Sequence, residues 1–233
     1  MNSLPVVRDF FPRRINQYTP KMQMAADVHR SNIINVSLGA PTLPDVDGIL
    51  NGVNTTAVTG SITVTGNALL GVVGATADSP YGRNVVMTGG GSGSKVITVA
   101  GFDYLGQPML ETMTASTGTA TGLKAFYEVT RIDLGAVAGD SDTDFGWGAE
   151  LGLPYVTLAI DHELEDNVLA SAGTLTAPVL TDPQTATTGD PRGTYAPTGT
   201  LDGTASFTVM ARVQAVFSAS GNGGLEGIAH YIA

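Results

Sequence analysis

The chain has 233 residues and a mass of 23.9 kDa, with 30 Gly, 12 Pro and no Cys; it makes one large domain or two small ones, without disulfides, thiolate catalysis or thiolate-held metals. Only 14% of residues are charged, against about 25% in an average soluble domain, and 42% are hydrophobic. Residues 1–30 hold five basic and two acidic groups, net +3, while the remaining 203 hold six and nineteen, net −13; an acidic body repels nucleic acid, so neither DNA nor RNA is expected as a partner.

Residues 1–48 read as an extended arm. Prolines at 5, 12, 20, 41 and 44 each bias the preceding residue away from helix. Met22, Ala25, Ala26 and His29 fall at helical spacing and allow a short helix from Lys21 to Arg30. Phe10, Phe11, Ile15 and Tyr18 are apolar with no long regular element to carry them. Such an arm needs a surface, either its own body or a neighbouring subunit. The start Met1-Asn2-Ser3-Leu4-Pro5 has no charged region leading into an apolar run, so no signal peptide is expected. No stretch approaches the roughly 18 consecutive apolar residues of a membrane helix, so no membrane partner is expected either.

From about residue 49 the pattern is β. Asn51 to Gly74 is rich in Thr, Val and Gly, and Ser61 to Thr65 alternates in period two. Asn84 to Thr88 reads as a short apolar strand, and Gly89-Gly90-Gly91-Ser92-Gly93-Ser94 as a flexible hairpin loop. Lys95 to Phe102 and Met109 to Ala115 read as a hairpin around the turn Asp103 to Pro108. Lys124 to Leu134 is a longer strand, favoured by Phe126, Tyr127, Val129, Thr130 and Ile132. Asp140 to Gly148 reads as an acidic loop, Leu153 to Ile160 as a strand, and residues 181–203 as a long irregular loop. In the last strand Phe207, Val209, Ala211, Val213, Ala215 and Phe217 share one face, the mark of a strand with one buried side. The expected fold is mainly β: a β-sandwich or barrel-like body of antiparallel strands over residues 49–233, with an extended N-terminal arm. The body is one unit, or two subdomains dividing near 85–95.

The chemistry-bearing motifs fail on inspection. The Gly-rich stretch 89–94 lacks the Gly-Lys-Ser/Thr and the following helix of a phosphate loop. Asp140, Asp142 and Asp144 have the spacing that opens a calcium loop and are the candidate cation ligands. However, Phe145 stands where that loop needs Gly and Leu151 where it needs Glu, so a solvated acidic turn is the simpler reading and no metal is expected. His162-Glu163 lacks the second His of a metalloprotease helix, and no Gly-x-Ser-x-Gly elbow surrounds any Ser. Neither an enzymatic activity nor a cofactor is expected. Trp147, between Gly146 and Gly148, either stacks on a ligand or plugs the core.

Two stretches carry a resemblance. Ala100-Gly101-Phe102-Asp103-Tyr104-Leu105-Gly106-Gln107-Pro108-Met109-Leu110-Glu111-Thr112 forms a strand, G-x-D-x-x-G-x-P, strand pattern, followed by Lys124-Ala125-Phe126, Val129-Thr130 and Leu151-Gly152-Leu153-Pro154-Tyr155. The second is Gly189-Asp190-Pro191-Arg192-Gly193-Thr194-Tyr195-Ala196-Pro197, then Leu201-Asp202-Gly203, ahead of the final strand. Together they resemble structural proteins of tailed-bacteriophage virions over just over half the chain. The resemblance implies a capsid decoration (cement) protein, a homotrimer on the outer surface of the head, assembled in the host cytoplasm and bound to the major capsid protein. The arm residues Arg8, Phe10, Phe11, Arg13, Arg14 and Tyr18 are then the expected partner interface, since Arg and aromatic residues dominate interface hot spots. The competing expectations are another virion part, such as a head fibre base, a minor head protein or a tail component, and a carbohydrate-binding β module using Trp147.

Overall fold

A computed structural model describes residues 32–53, 60–63, 72–73, 76–77, 79–134 and 143–213. Every regular element among them is a strand. In chain order they are β1 (Asn32–Gly39), β2 (Asp45–Val53), β3 (Gly60–Thr63), β4 (Val72–Val73), β5 (Thr76–Ala77), β6 (Arg83–Phe102), β7 (Pro108–Phe126), β8 (Glu128–Leu134), β9 (Thr143–Gly152), β10 (Thr157–Glu165), β11 (Val168–Ala170), β12 (Thr174–Thr176), β13 (Thr194–Ala196) and β14 (Phe207–Val213). The expected mainly β body of antiparallel strands is what forms.

One sheet runs β1-β14-β10-β11. A larger one runs β12-β13-β9-β6-β8-β3, with β7 alongside β6 and β2 alongside β9. All the pairings are antiparallel. The β6–β7 hairpin is the frame of the larger sheet. Arg83 at the start of β6 faces Phe126, and Phe102 at its end faces Glu128. Both ends of β6 therefore flank Tyr127, whose N–H reaches the Phe102 carbonyl at 2.9 Å. Facing residues are about 5 Å apart, which brings the two ends within roughly 20 Å, whereas twenty extended residues span about 65 Å. So β6 curls back on itself. The pairing with β7 shifts register at Gly89/Ser92 and Ser92/Lys95 within this span, and irregularities of this kind bend a strand.

This corrects the reading of 89–94 as a hairpin loop: it lies inside β6. Three other boundaries change. The acidic loop over 140–148 is strand from Thr143, because Phe145 and Trp147 turn into the core. Lys124 to Leu134 is two strands, split at Tyr127 where the chain passes from one side of β6 to the other. The arm does not extend to residue 48: β1 pairs along β14, with Val36 and Leu38 buried, and β2 pairs with β9. The prolines at 41 and 44 mark the turn between two strands. The proposed division near 85–95 falls within β6.

Two hydrophobic clusters form among the described residues. The first lies within the curl and includes Val85, Met87, Ile97, Val99, Met109, Met113, Phe126, Ile132, Phe145 and Trp147. The second packs the four-stranded sheet, through Val36, Leu38, Phe207, Val209, Ala211 and Val213, against Leu151, Leu153 and Tyr195. The in-phase face expected for the last strand is thus fully buried over its described length.

Candidate functional site

The two stretches singled out in the sequence meet in space. In the β6–β7 turn, Asp103 Oδ1 accepts the N–H groups of Leu105 and Gln107, both at 2.8 Å. The Asp103 N–H donates to the Gln107 carbonyl at 3.0 Å. Gly106 takes φ +77°, a conformation that side chains resist. The other carboxylate oxygen, Oδ2, accepts from Arg192 Nη2 at 2.5 Å, across 89 residues of sequence. Both partners are buried. The Arg192 guanidinium also lies 4.9 Å from the centre of the Tyr104 ring, a cation–π contact. Tyr104 donates its hydroxyl to the Pro154 carbonyl at 2.7 Å and meets Tyr81 edge-on. Burial pushes the Tyr104 hydroxyl up to about 12.

The remaining charges continue the same lock. Asp190 accepts the N–H groups of Arg192 and Ala125 at 2.8 and 3.1 Å, and its burial raises its pKa. Lys124 extends its ammonium to the carbonyls of Leu110, Pro183 and Thr185 at 2.7 to 2.9 Å, and burial lowers its pKa. Glu111 accepts the N–H groups of Leu123 and Lys124 at 2.5 and 3.3 Å, while burial pushes its carboxyl up to about 7. The Pro183 and Ala186 carbonyls accept from the Leu110 and Thr112 N–H groups, so the segment 181–193 straps the edge of β7. Two buried atoms of the lock, Gln107 Oε1 and Arg192 Nη1, have no hydrogen-bond partner among the described residues. Removing one side of a buried pair such as Asp103–Arg192 typically costs about 3–5 kcal/mol, because the other charge is stranded. The arrangement holds two distant segments in fixed register; its charged groups face backbone and one another.

Among the residues expected to be functional, Arg8, Phe10, Phe11, Arg13, Arg14 and Tyr18 lie outside the described residues, as do Asp140 and Asp142. Asp144 sits in β9 opposite Thr88, and its carboxylate accepts the Gly52 N–H at 2.8 Å. Among the described residues no three acidic, His or Cys side chains are grouped to hold a metal ion. Trp147 plugs the first core, with its indole N–H directed to the Leu43 carbonyl at 3.4 Å. Two shallow hollows flank these features. One, of about 480 Å³, lies at the hairpin tip among Phe102, Tyr104, Leu105, Tyr127 and Glu128. The other, of about 380 Å³, lies among Leu43, Pro44, Asp45, Trp147 and Asp202. Sequence reasoning assigned no role to Lys124, Glu111 or Asp190. The available signal was the rarity of Lys124, one of only 11 Lys and Arg in the chain.

No family model, no curated protein and no solved structure matches this chain.

Proposed function

We propose that the chain is a virion structural protein of the capsid decoration (cement) type, a homotrimer fastened to the major capsid protein on the outer surface of a phage head. The observation that carries this reading is the joining of the two virion-like stretches through Asp103 and Arg192. Residues that look like a family signature in two separate places act here as one structural unit, as expected of a body that must stay rigid under load. The charge layout agrees: an acidic body preceded by thirty residues of net +3 that hold Arg8, Arg13, Arg14, Phe10 and Phe11. An arm that orders on binding loses conformational entropy but covers a large surface. Several arms on one oligomer multiply weak contacts through effective concentration. The carbohydrate-binding alternative loses its main support, since Trp147 is committed to the core.

The test uses shells of the encoding virus assembled without this protein. Full-length protein is expected to bind heads rather than tails, and a variant lacking residues 1–30 is expected to keep its fold and lose binding. Undiminished binding by the truncated variant, or binding confined to tails, would overturn the reading.

A further inference from the structure

Several sheet edges of the described body are protected. The edge of β7 is strapped at Leu110 and Thr112 by the carbonyls of Pro183 and Ala186, and β10 carries Asp161 and two register shifts along its length. β3, β11 and β12 are only four, three and three residues long. β2 carries Asp45 and Asp47 and breaks register twice along β9. These are the usual devices against unwanted strand addition: covering, shortness, charge and bulges. β1 has eight residues, Asn-Ile-Ile-Asn-Val-Ser-Leu-Gly, with neither a charge nor a Pro. It pairs with β14 on one side, and among the described residues no strand pairs with the other. About half of its N–H and C=O groups therefore face outward without a strand partner, beside the exposed side chains of Ile33, Asn35 and Ser37. A bare, uncharged edge of this length is a template for an added strand.

We propose that Val6–Phe11 of a neighbouring copy adds to the open edge of β1. This rests on the reading that the arm reaches outward, and not on the presence of a shell. Val6-Val7-Arg8-Asp9-Phe10-Phe11 is a six-residue run bounded by Pro5 and Pro12. Four of its residues are β-branched or aromatic, which suits a strand. Its one positive and one negative charge cancel, so it adds no net charge to an uncharged edge. The other proline-free run before residue 20, Arg13 to Thr19, opens on two arginines and has fewer apolar residues.

The connection favours a second copy over self-pairing. Twenty residues separate Phe11 from Asn32, whereas hairpins turn in about two to five. Half of those twenty, Lys21 to Arg30, have the spacing of a helix. Ten extended residues and ten helical ones reach about 45 to 50 Å. A body of this size is roughly 30 to 40 Å across. The connection thus spans about one molecular width, enough to reach an adjacent copy.

The absence of Cys makes the test clean. Protein carrying Asn35→Cys is mixed with protein carrying Asp9→Cys and treated with a short bis-maleimide. A product of two chain masses is expected, at least about ten-fold above a control pairing Asp9→Cys with Val168→Cys, which is exposed on β11. Deleting residues 1–11 is expected to speed amide exchange at Ile33 to Gly39 by about ten-fold or more and to leave the β14 amides unchanged. A cross-link no stronger than the control overturns the proposal. So does a doubly substituted chain, Asp9→Cys with Asn35→Cys, that cross-links only within itself, or β1 exchange indifferent to the deletion. Because only purified protein is used, failure here is separate from failure to bind shells.

Discussion

The Glu111 carboxylate is pulled two ways. It accepts two strand N–H groups, which favour its charged form, but only 3% of the residue is exposed, and the loss of water outweighs them. Its pKa rises from 4.5 to about 7 in the folded chain. Between those values the folded state keeps a proton that the unfolded chain releases, so stability falls as pH rises. The contribution is whole below about pH 4.5 and lost above about pH 7, a swing on the order of 3 kcal/mol. Burial raises Asp190 as well and adds to the same trend, so Glu111→Gln should reduce the decline rather than abolish it. Urea unfolding measured every half unit from pH 4.5 to 7.5 checks this. The expected outcome is a visibly shallower slope for Glu111→Gln, and identical slopes would show that Glu111 does not titrate in this range. The identities of Glu111 and Lys124 are plain in the sequence, yet the groups they serve belong to Leu123, Pro183 and Thr185. Nothing local in a sequence says which carbonyls a buried ammonium will meet 59 or 61 residues away.

Among the strands, the seam that closes the curl of β6 leaves no room for small changes. A Cβ on Gly101 would sit 1.9 Å from the Glu128 carbonyl oxygen, a backbone atom that cannot move aside without separating β6 from β8. Gly106, in the hairpin turn, has φ +77° and open space around it. Gly106→Ala therefore meets only backbone strain, about 1 kcal/mol. Gly101→Ala should cost at least about 3 kcal/mol, since the two strands must part or distort. Denaturant midpoints of the two variants decide it; similar losses would mean that the seam is slack. Elements with strong local rules were the legible ones. β14 announced itself by strict alternation, and the β6–β7 turn by Asp103, Gly106 and Pro108. What stayed hidden was strand built without side-chain pattern. Residues 89–94 lie within β6 although their run of Gly and Ser gives no alternation, and Thr143 to Gly148 reads as a loop because its glycines and acids mask the inward Phe145 and Trp147. β1 is hard to read because prolines flank it on both sides, at 20 and at 41 and 44, although none lies within it. The arm residues expected to grip a partner lie outside the described residues, so the body alone does not locate that site.

At the scale of the whole molecule the question is whether two cores make two folding units. β9 belongs to both: Phe145 and Trp147 enter the first cluster, and Leu151 enters the second. Arg83 ties the same region together, donating to the Gly148 carbonyl from Nε and Nη2 at 2.9 and 2.6 Å and to the Thr42 carbonyl from Nη1 at 2.9 Å. Loss of either core would strip β9 along half its length and strand that buried guanidinium, which is unfavourable enough to couple the two. A single cooperative transition follows, rather than the two expected from a division near 85–95. The lone Trp reports the first cluster directly, because Trp147 fluorescence changes only when that cluster opens. A fluorine label on Tyr195, buried in the second cluster, reports the other. The two urea curves should share one midpoint and one slope. Midpoints separated by more than about 0.5 M, at slopes of the usual 1–3 kcal/mol/M, would show two units unfolding in turn.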